Sequence, residues 1–137
     1  MLNVLCVSHG RNLGFEELRA LSNAGFRVRT VANGFEAIKQ FAEHEIDAIL
    51  VNRQLPDVEV SELVSFFRNH DADIPIVMLS TVMPLKSASG TVDAVIHKQS
   101  AAQLLVPTLE FLLAARAARA ERAPAAENDD YTFAQAA

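Results

Sequence analysis

The chain has 137 residues, half of them hydrophobic, with a formal net charge of −5 and one cysteine. That length fits one ordinary domain with a core of its own, and one cysteine excludes both a disulfide framework and a cysteine-rich zinc site. The acidic balance argues against a nucleic-acid binder that works by phosphate neutralisation, which needs a basic face. No run of about eighteen apolar residues is present, so no membrane span is expected. Met1 to Val7 is apolar, but no basic segment precedes it and no small-residue cleavage site follows. It reads as a strand, and a cytoplasmic protein is expected.

Two kinds of apolar segment alternate along the chain. Leu2–Val7, Val28–Val31, Ile46–Val51, Ile74–Leu79 and Ala94–Ile96 are short and rich in Val, Ile and Leu. They fit strands buried on both faces of a parallel sheet. Between them the apolar spacing is helical: Phe15, Leu18 and Leu21; then Ile38, Phe41 and Ala42; then Leu63, Phe66 and Phe67; then Leu105, Leu109, Leu112 and Leu113. Asn33 with Glu36 three residues on predicts a capping box. Gly25 stands where a helix ends in left-handed backbone. Pro75 stands where a strand opens and its missing N–H costs least. The order predicts a three-layer, doubly wound α/β domain over residues 1–115.

Two stretches break the rhythm. Ser80 to Thr91 holds Pro84, Gly90 and three serines, and reads as a loop or one helical turn. Residues 116–137 begin as an Ala/Arg-rich extension of the last helix, stop at Pro124, and end in a polar tail around Asp129-Asp130-Tyr131-Thr132-Phe133. That tail is a disordered terminus or a short docking motif. Arg116, Arg119 and Arg122 read as a solvated basic strip, or else a docking strip. Leu104, Val106 and Phe111 are core or a dimer seam. The last helix starts near Ala101, with Pro107 inside it, or near Val106, with Pro107 in its first turn.

Ligands of an open parallel sheet bind beyond the carboxyl ends of its strands. Those ends are Ser8-His9-Gly10, Asn52-Arg53, Ser80-Thr81 and His97-Lys98. Here the sequence resembles the receiver domain of two-component response regulators. The likeness lies in Val31–Ala37, Asp47–Asp57, Ile74–Ser80 and Val92–Lys98, in that order. It implies a flavodoxin-like five-stranded parallel sheet, order 2-1-3-4-5. The segment after Ser80 is short for the family and implies a shortened or missing fourth helix.

The same resemblance marks departures. The family ends its third strand in an aspartate that accepts a phosphoryl group; the matching residue is Asn52, and an amide cannot form the acyl phosphate. The family ends its first strand in an acidic pair that binds Mg²⁺; the matching residues are Ser8 and His9, so Mg²⁺ binding is not expected. Ser80 and Lys98 match the hydroxyl and lysine that contact the phosphoryl group. The aromatic switch residue is Val95, and the proline after the lysine is Gln99. Asp57 reads as a turn residue rather than a substitute acceptor. His9 reads as a loop histidine, and Cys6 as a small buried hydrophobe.

The resemblance therefore implies a degenerate, phosphorylation-independent pseudo-receiver that is not an enzyme and acts by protein–protein interaction. Its expected partners are a histidine kinase or an output protein, with possible homodimerisation through the last helix and fifth strand, and with neither nucleic acid nor membrane. Two alternatives stay open. The emptied pocket senses a small anion or metabolite, or the chain is an ordinary phosphorylatable regulator.

Overall fold

The computed structural model describes residues 2–8, 14–53, 55–81 and 92–122, the last two without their side chains. Strands β1 (Leu2–Val7), β2 (Phe26–Val31), β3 (Ala48–Asn52), β4 (Ile76–Ser80) and β5 (Ala94–His97) form one parallel sheet. Its order is β2-β1-β3-β4-β5, as expected. The helices are α1 (Phe15–Asn23), α2 (Gly34–Glu43), α3 (Val60–His70) and α4 (Ala101–Arg122), with a 3-10 turn over Lys98–Ser100 before the last. Pro75 falls just outside β4, and its carbonyl accepts from the Ile49 N–H at 2.9 Å.

Strand alternation sorts the core into two layers. Leu5, Val7, Ile49, Val51, Ile76 and Met78 meet α2 and α3, including Leu63 and Phe67. Val4, Cys6, Leu50, Val77, Leu79 and Ile96 meet Leu21 of α1 and Leu105 and Leu109 of α4. Leu105 and Leu109 are fully buried. Each such side chain contributes roughly 1.5–3 kcal/mol.

The punctuation behaves as its chemistry requires. Gly25 has φ +95°, a conformation that costs glycine little. Asn33 Oδ1 accepts from the Glu36 N–H at 2.8 Å and caps α2, while Glu36 Oε1 reaches back only to the Ala32 N–H at 3.5 Å. The capping box is thus half formed.

The last helix takes the longer of its two alternatives. It starts at Ala101, with Pro107 inside and exposed. His97 Nδ1 accepts from the Gln99 N–H at 3.0 Å and sets the turn that leads into it. Lys98–Ala120 is, by length and composition, long and apolar enough to cross a membrane. That length comes from joining the apolar Leu104–Leu113 block to the alanines beyond it, across Glu110, Arg116 and Arg119, so it is not an uninterrupted apolar run. In this fold the helix lies on the sheet. Val106 is half-buried against the core, while Leu104 and Phe111 are 45% and 72% exposed.

The basic strip is not simply solvated. Arg116 Nη2 donates to Asp71 Oδ2 at 2.7 Å, and Arg119 Nε lies 3.9 Å from Asp73 Oδ1. Both partners sit where α3 ends, so α4 is tied to the α3–β4 connection. At the same end, Arg68 Nη2 meets Asp93 Oδ2 at 2.9 Å and Arg68 Nη1 donates to the Ile74 carbonyl at 2.6 Å. The expectations for residues 82–91, the fourth-helix segment, and for 123–137, the tail, lie outside the described residues.

Candidate functional site at the carboxyl ends of the strands

The register brings the strand ends together. Val7 pairs with Val51, so Ser8 stands level with Asn52 on the neighbouring strand. The ladder extends past both strand ends: the Ser8 N–H donates to the Val31 carbonyl and the Arg53 N–H to the Leu79 carbonyl, each at 3.0 Å. Asn52 pairs with Leu79 and Ser80 with His97, which puts Lys98 at the same end. Ser8, Asn52, Ser80 and Lys98 therefore line one edge of the sheet across four strands. His9 lies outside the described residues.

The pleat aims these side chains differently. Ser8 follows Val4 and Cys6 toward the α1/α4 layer, and Asn52 follows Ala48 and Leu50 to the same side. Ser80 follows Ile76 and Met78 toward the α2/α3 layer and is 1% exposed. Val95 is half-buried against that second layer. The Asn52 Oδ1 is buried without a hydrogen-bond partner among the described residues. Such an orphan acceptor is unusual in a folded chain and costs about 1–3 kcal/mol.

Cys6 belongs to this neighbourhood, which its reading as a core residue did not foresee. Burial pushes its thiol up to about 11, against smaller opposing effects of a hydrogen bond with the Ser8 side chain and the charge of Lys98. It is therefore a thiol at neutral pH, directly under the strand-end edge. The signal was present in sequence: Cys6 and Ser8 are two apart on one strand and share a face.

Asp57 has a definite task. Its Oδ1 accepts from the Gly34 N–H at 2.9 Å and its Oδ2 from the Phe35 N–H at 3.0 Å. It binds the N-terminus of α2, where a carboxylate is favoured by the unpaired N–H groups and the helix dipole. These bonds hold its carboxyl below the usual range. The turn reading was incomplete, because the helix it caps lies 23 residues earlier.

Magnesium, which the resemblance implies, takes hard and preferably anionic oxygens in near-octahedral geometry. The described strand-end residues offer hydroxyls, an amide, an imidazole, a guanidinium and an ammonium, and Asp57 has both oxygens on α2. Among the described residues no cluster of three His, Cys, Asp or Glu could hold a metal ion. This donor set does not fit the ion.

Residues 15–110 match the sequence profile of the response regulator receiver domain. The chain belongs to that family. A receiver domain is the signal-accepting part of two-component regulation, and this one has the five-stranded parallel sheet of its structural neighbours. Over 62 residues it is 34% identical to the transcriptional regulatory protein PrrA of Mycobacterium tuberculosis. That match covers 45% of this chain and 27% of PrrA, so the chain spans about a quarter of that relative. The response regulator TrrA of Thermotoga maritima, solved with Mg²⁺ and beryllofluoride, superposes with a TM-score of 0.71 at 24% identity, covering 82% of this receiver domain and 99% of TrrA. TrrA solved in complex with the histidine kinase ThkA gives 0.70 at 24% identity, covering 82% and 99%.

Proposed function

We propose that this receiver domain signals without phosphorylation, as a cytoplasmic module acting through protein contacts. One observation carries the reading: β3 ends in Asn52, whose buried amide oxygen has no partner among the described residues, on an edge where those residues supply no carboxylate. The family resemblance places the phosphoryl acceptor at this position and the metal-binding acids at Ser8 and His9. An amide is too weak a nucleophile for acyl phosphate formation. Phosphoryl transfer also relies on metal and positioned charge, so acceptor and metal site are lost together.

Ser80 and Lys98 keep the places of the phosphoryl-contacting pair, and Val95 replaces the aromatic switch. The chain is then a fixed-state receiver rather than a two-state one, and it is not an enzyme. Its partners are a histidine kinase or an output protein, and a second copy through α4 and β5. TrrA, a structural neighbour, is itself solved with a kinase, which supports that partner class.

Intact mass after incubation with Mg²⁺ and a small-molecule phosphodonor tests the proposal. The expected result is an unchanged mass. An added phosphoryl group, mapped to any residue of the strand-end edge, overturns it.

A further inference from the structure

Asn33 is followed by Gly34, the neighbour that leaves an asparagine most open to spontaneous change. Gly34 has no Cβ, so its nitrogen can approach the Asn33 side chain. In an unfolded chain that nitrogen loses its proton and attacks Cγ of Asn33. An N–C bond forms and the Cγ–Nδ2 bond breaks. The departing amide takes up a proton and leaves as ammonia, which balances the proton given up by Gly34. Water then opens the succinimide at either carbonyl, to aspartate or to isoaspartate. Asparagine counts among the thermolabile residues.

The fold opposes each step. The Gly34 N–H donates to Asp57 Oδ1 at 2.9 Å. A carboxylate against that N–H opposes its ionisation, since the anion would face a like charge. The Asn33 carbonyl accepts from the Ala37 N–H at 3.1 Å. Both polar ends of the Asn33–Gly34 peptide are therefore held. Asn33 Oδ1 is held as well, by the Glu36 N–H at 2.8 Å. Asn33 is extended, with ψ 173°. Ring closure needs rotation about ψ, and that rotation breaks the bonds to Asp57 and Ala37. Gly34 is buried, and Val58 fills the space where a side chain would stand.

We propose that Asn33 is a latent deamidation site held shut by Asp57. It converts only when the connection from β3 to α3 leaves the first turn of α2, so its modification is a covalent record of that opening. The isoaspartate product adds a methylene to the main chain at the start of α2, and its two oxygens no longer meet the Glu36 and Ala37 N–H groups together. The aspartate product keeps the capping oxygen but adds a third carboxylate to the turn that holds Glu36 and Asp57. None of these groups belongs to the strand-end set, so the chemistry is independent of whether that edge accepts a phosphoryl group.

Peptide mapping after incubation at mildly alkaline pH tests the proposal. It reads the small mass gain of amide-to-acid conversion at Asn33, and isoaspartate in the same peptide. The parent should convert far more slowly than the same chain unfolded in urea. Asp57→Ala should convert roughly 10- to 100-fold faster than the folded parent, as the loss of bonds to a charged acceptor predicts. Val77→Ala loosens the opposite core layer and controls for global unfolding. Matched to Asp57→Ala in stability by denaturant, it should stay near the parent rate. Three results overturn the proposal: a parent that converts as fast as the unfolded chain, an Asp57→Ala chain no faster than the parent, or a Val77→Ala chain as fast as Asp57→Ala. Circular dichroism shows whether Asp57→Ala is folded. If it is not, the comparison is made with Asp57→Ser, which overturns the proposal if it too converts at the parent rate.

Discussion

Asp57 holds Gly34. The carboxylate accepts the Gly34 N–H at 2.9 Å, and so joins the loop after β3 to the first turn of α2. Its second oxygen takes the Phe35 N–H at 3.0 Å. An amide has one acceptor oxygen, so Asp57→Asn leaves one of these donors without its partner. Folded Asp57 titrates below the unfolded value of 3.8. Its contribution is therefore present above that value and fades as pH falls through the lowered one. Thermal melts should show Asp57→Asn less stable than the parent at pH 7, with the gap closing below pH 3.8. A gap independent of pH contradicts the cap.

Gly34 is also needed for space. A Cβ there collides with Cγ2 of Val58. Gly34→Ala should cost about 1–3 kcal/mol by overpacking. Val58→Ala in the same chain should recover part of that loss, a coupling that denaturant titration of the double-mutant cycle measures. Additive losses would show that the two residues do not compete for one volume.

Cys6 gives the fold an alkaline limit. Its thiol titrates near 11 when folded, against 9.0 as an ordinary thiol. The unfolded chain loses that proton first, so stability falls as pH rises from 9 to 11. Two pH units correspond to about 3 kcal/mol. Urea titrations should show this fall in the parent and a flatter profile in Cys6→Ala. A thiol reagent at pH 8 should leave the native chain unmodified.

Arg116 and Asp71 tie the far half of α4 to the end of α3 across 2.7 Å, both about two-thirds buried. A partly exposed pair of this kind contributes about 1 kcal/mol or less. Arg116→Met and Asp71→Asn should each destabilise by about that amount and by no more together than alone. Hydrogen exchange should quicken in the last turns of α4 in either variant, and unchanged protection there would refute the tie.

The parts of this fold visible in the sequence are those with a short period. The Val/Ile runs of β1, β3 and β4 and the Asn33 and Gly25 punctuation each span a few residues, so local chemistry decides them. The parts that were not visible depend on distant partners. Asp57 looks like a turn residue until Gly34 is beside it, and Arg116 looks solvated until Asp71 is. Pro107 left two starts open, near Ala101 and near Val106. Its cost inside a helix weighs against the earlier start, but it is exposed, and the turn capped by His97 commits the chain to a helix that begins at Ala101, five residues before Val106. The strand-end set was legible because a parallel sheet delivers every strand to the same edge. Only the part Cys6 plays beneath it escaped notice.

The proposed independence from phosphorylation rests on a strand-end edge whose described residues supply neither a carboxylate acceptor nor a metal-binding cluster. The most direct measurement is an amide NMR titration with Mg²⁺ and beryllofluoride, the pair bound by TrrA. The parent should show no saturable shifts at Ser8, Asn52, Ser80 or Lys98. A chain rebuilt with Ser8→Asp, His9→Asp and Asn52→Asp should show them. Saturable, Mg²⁺-dependent shifts at Asn52 and Lys98 in the parent would contradict the account.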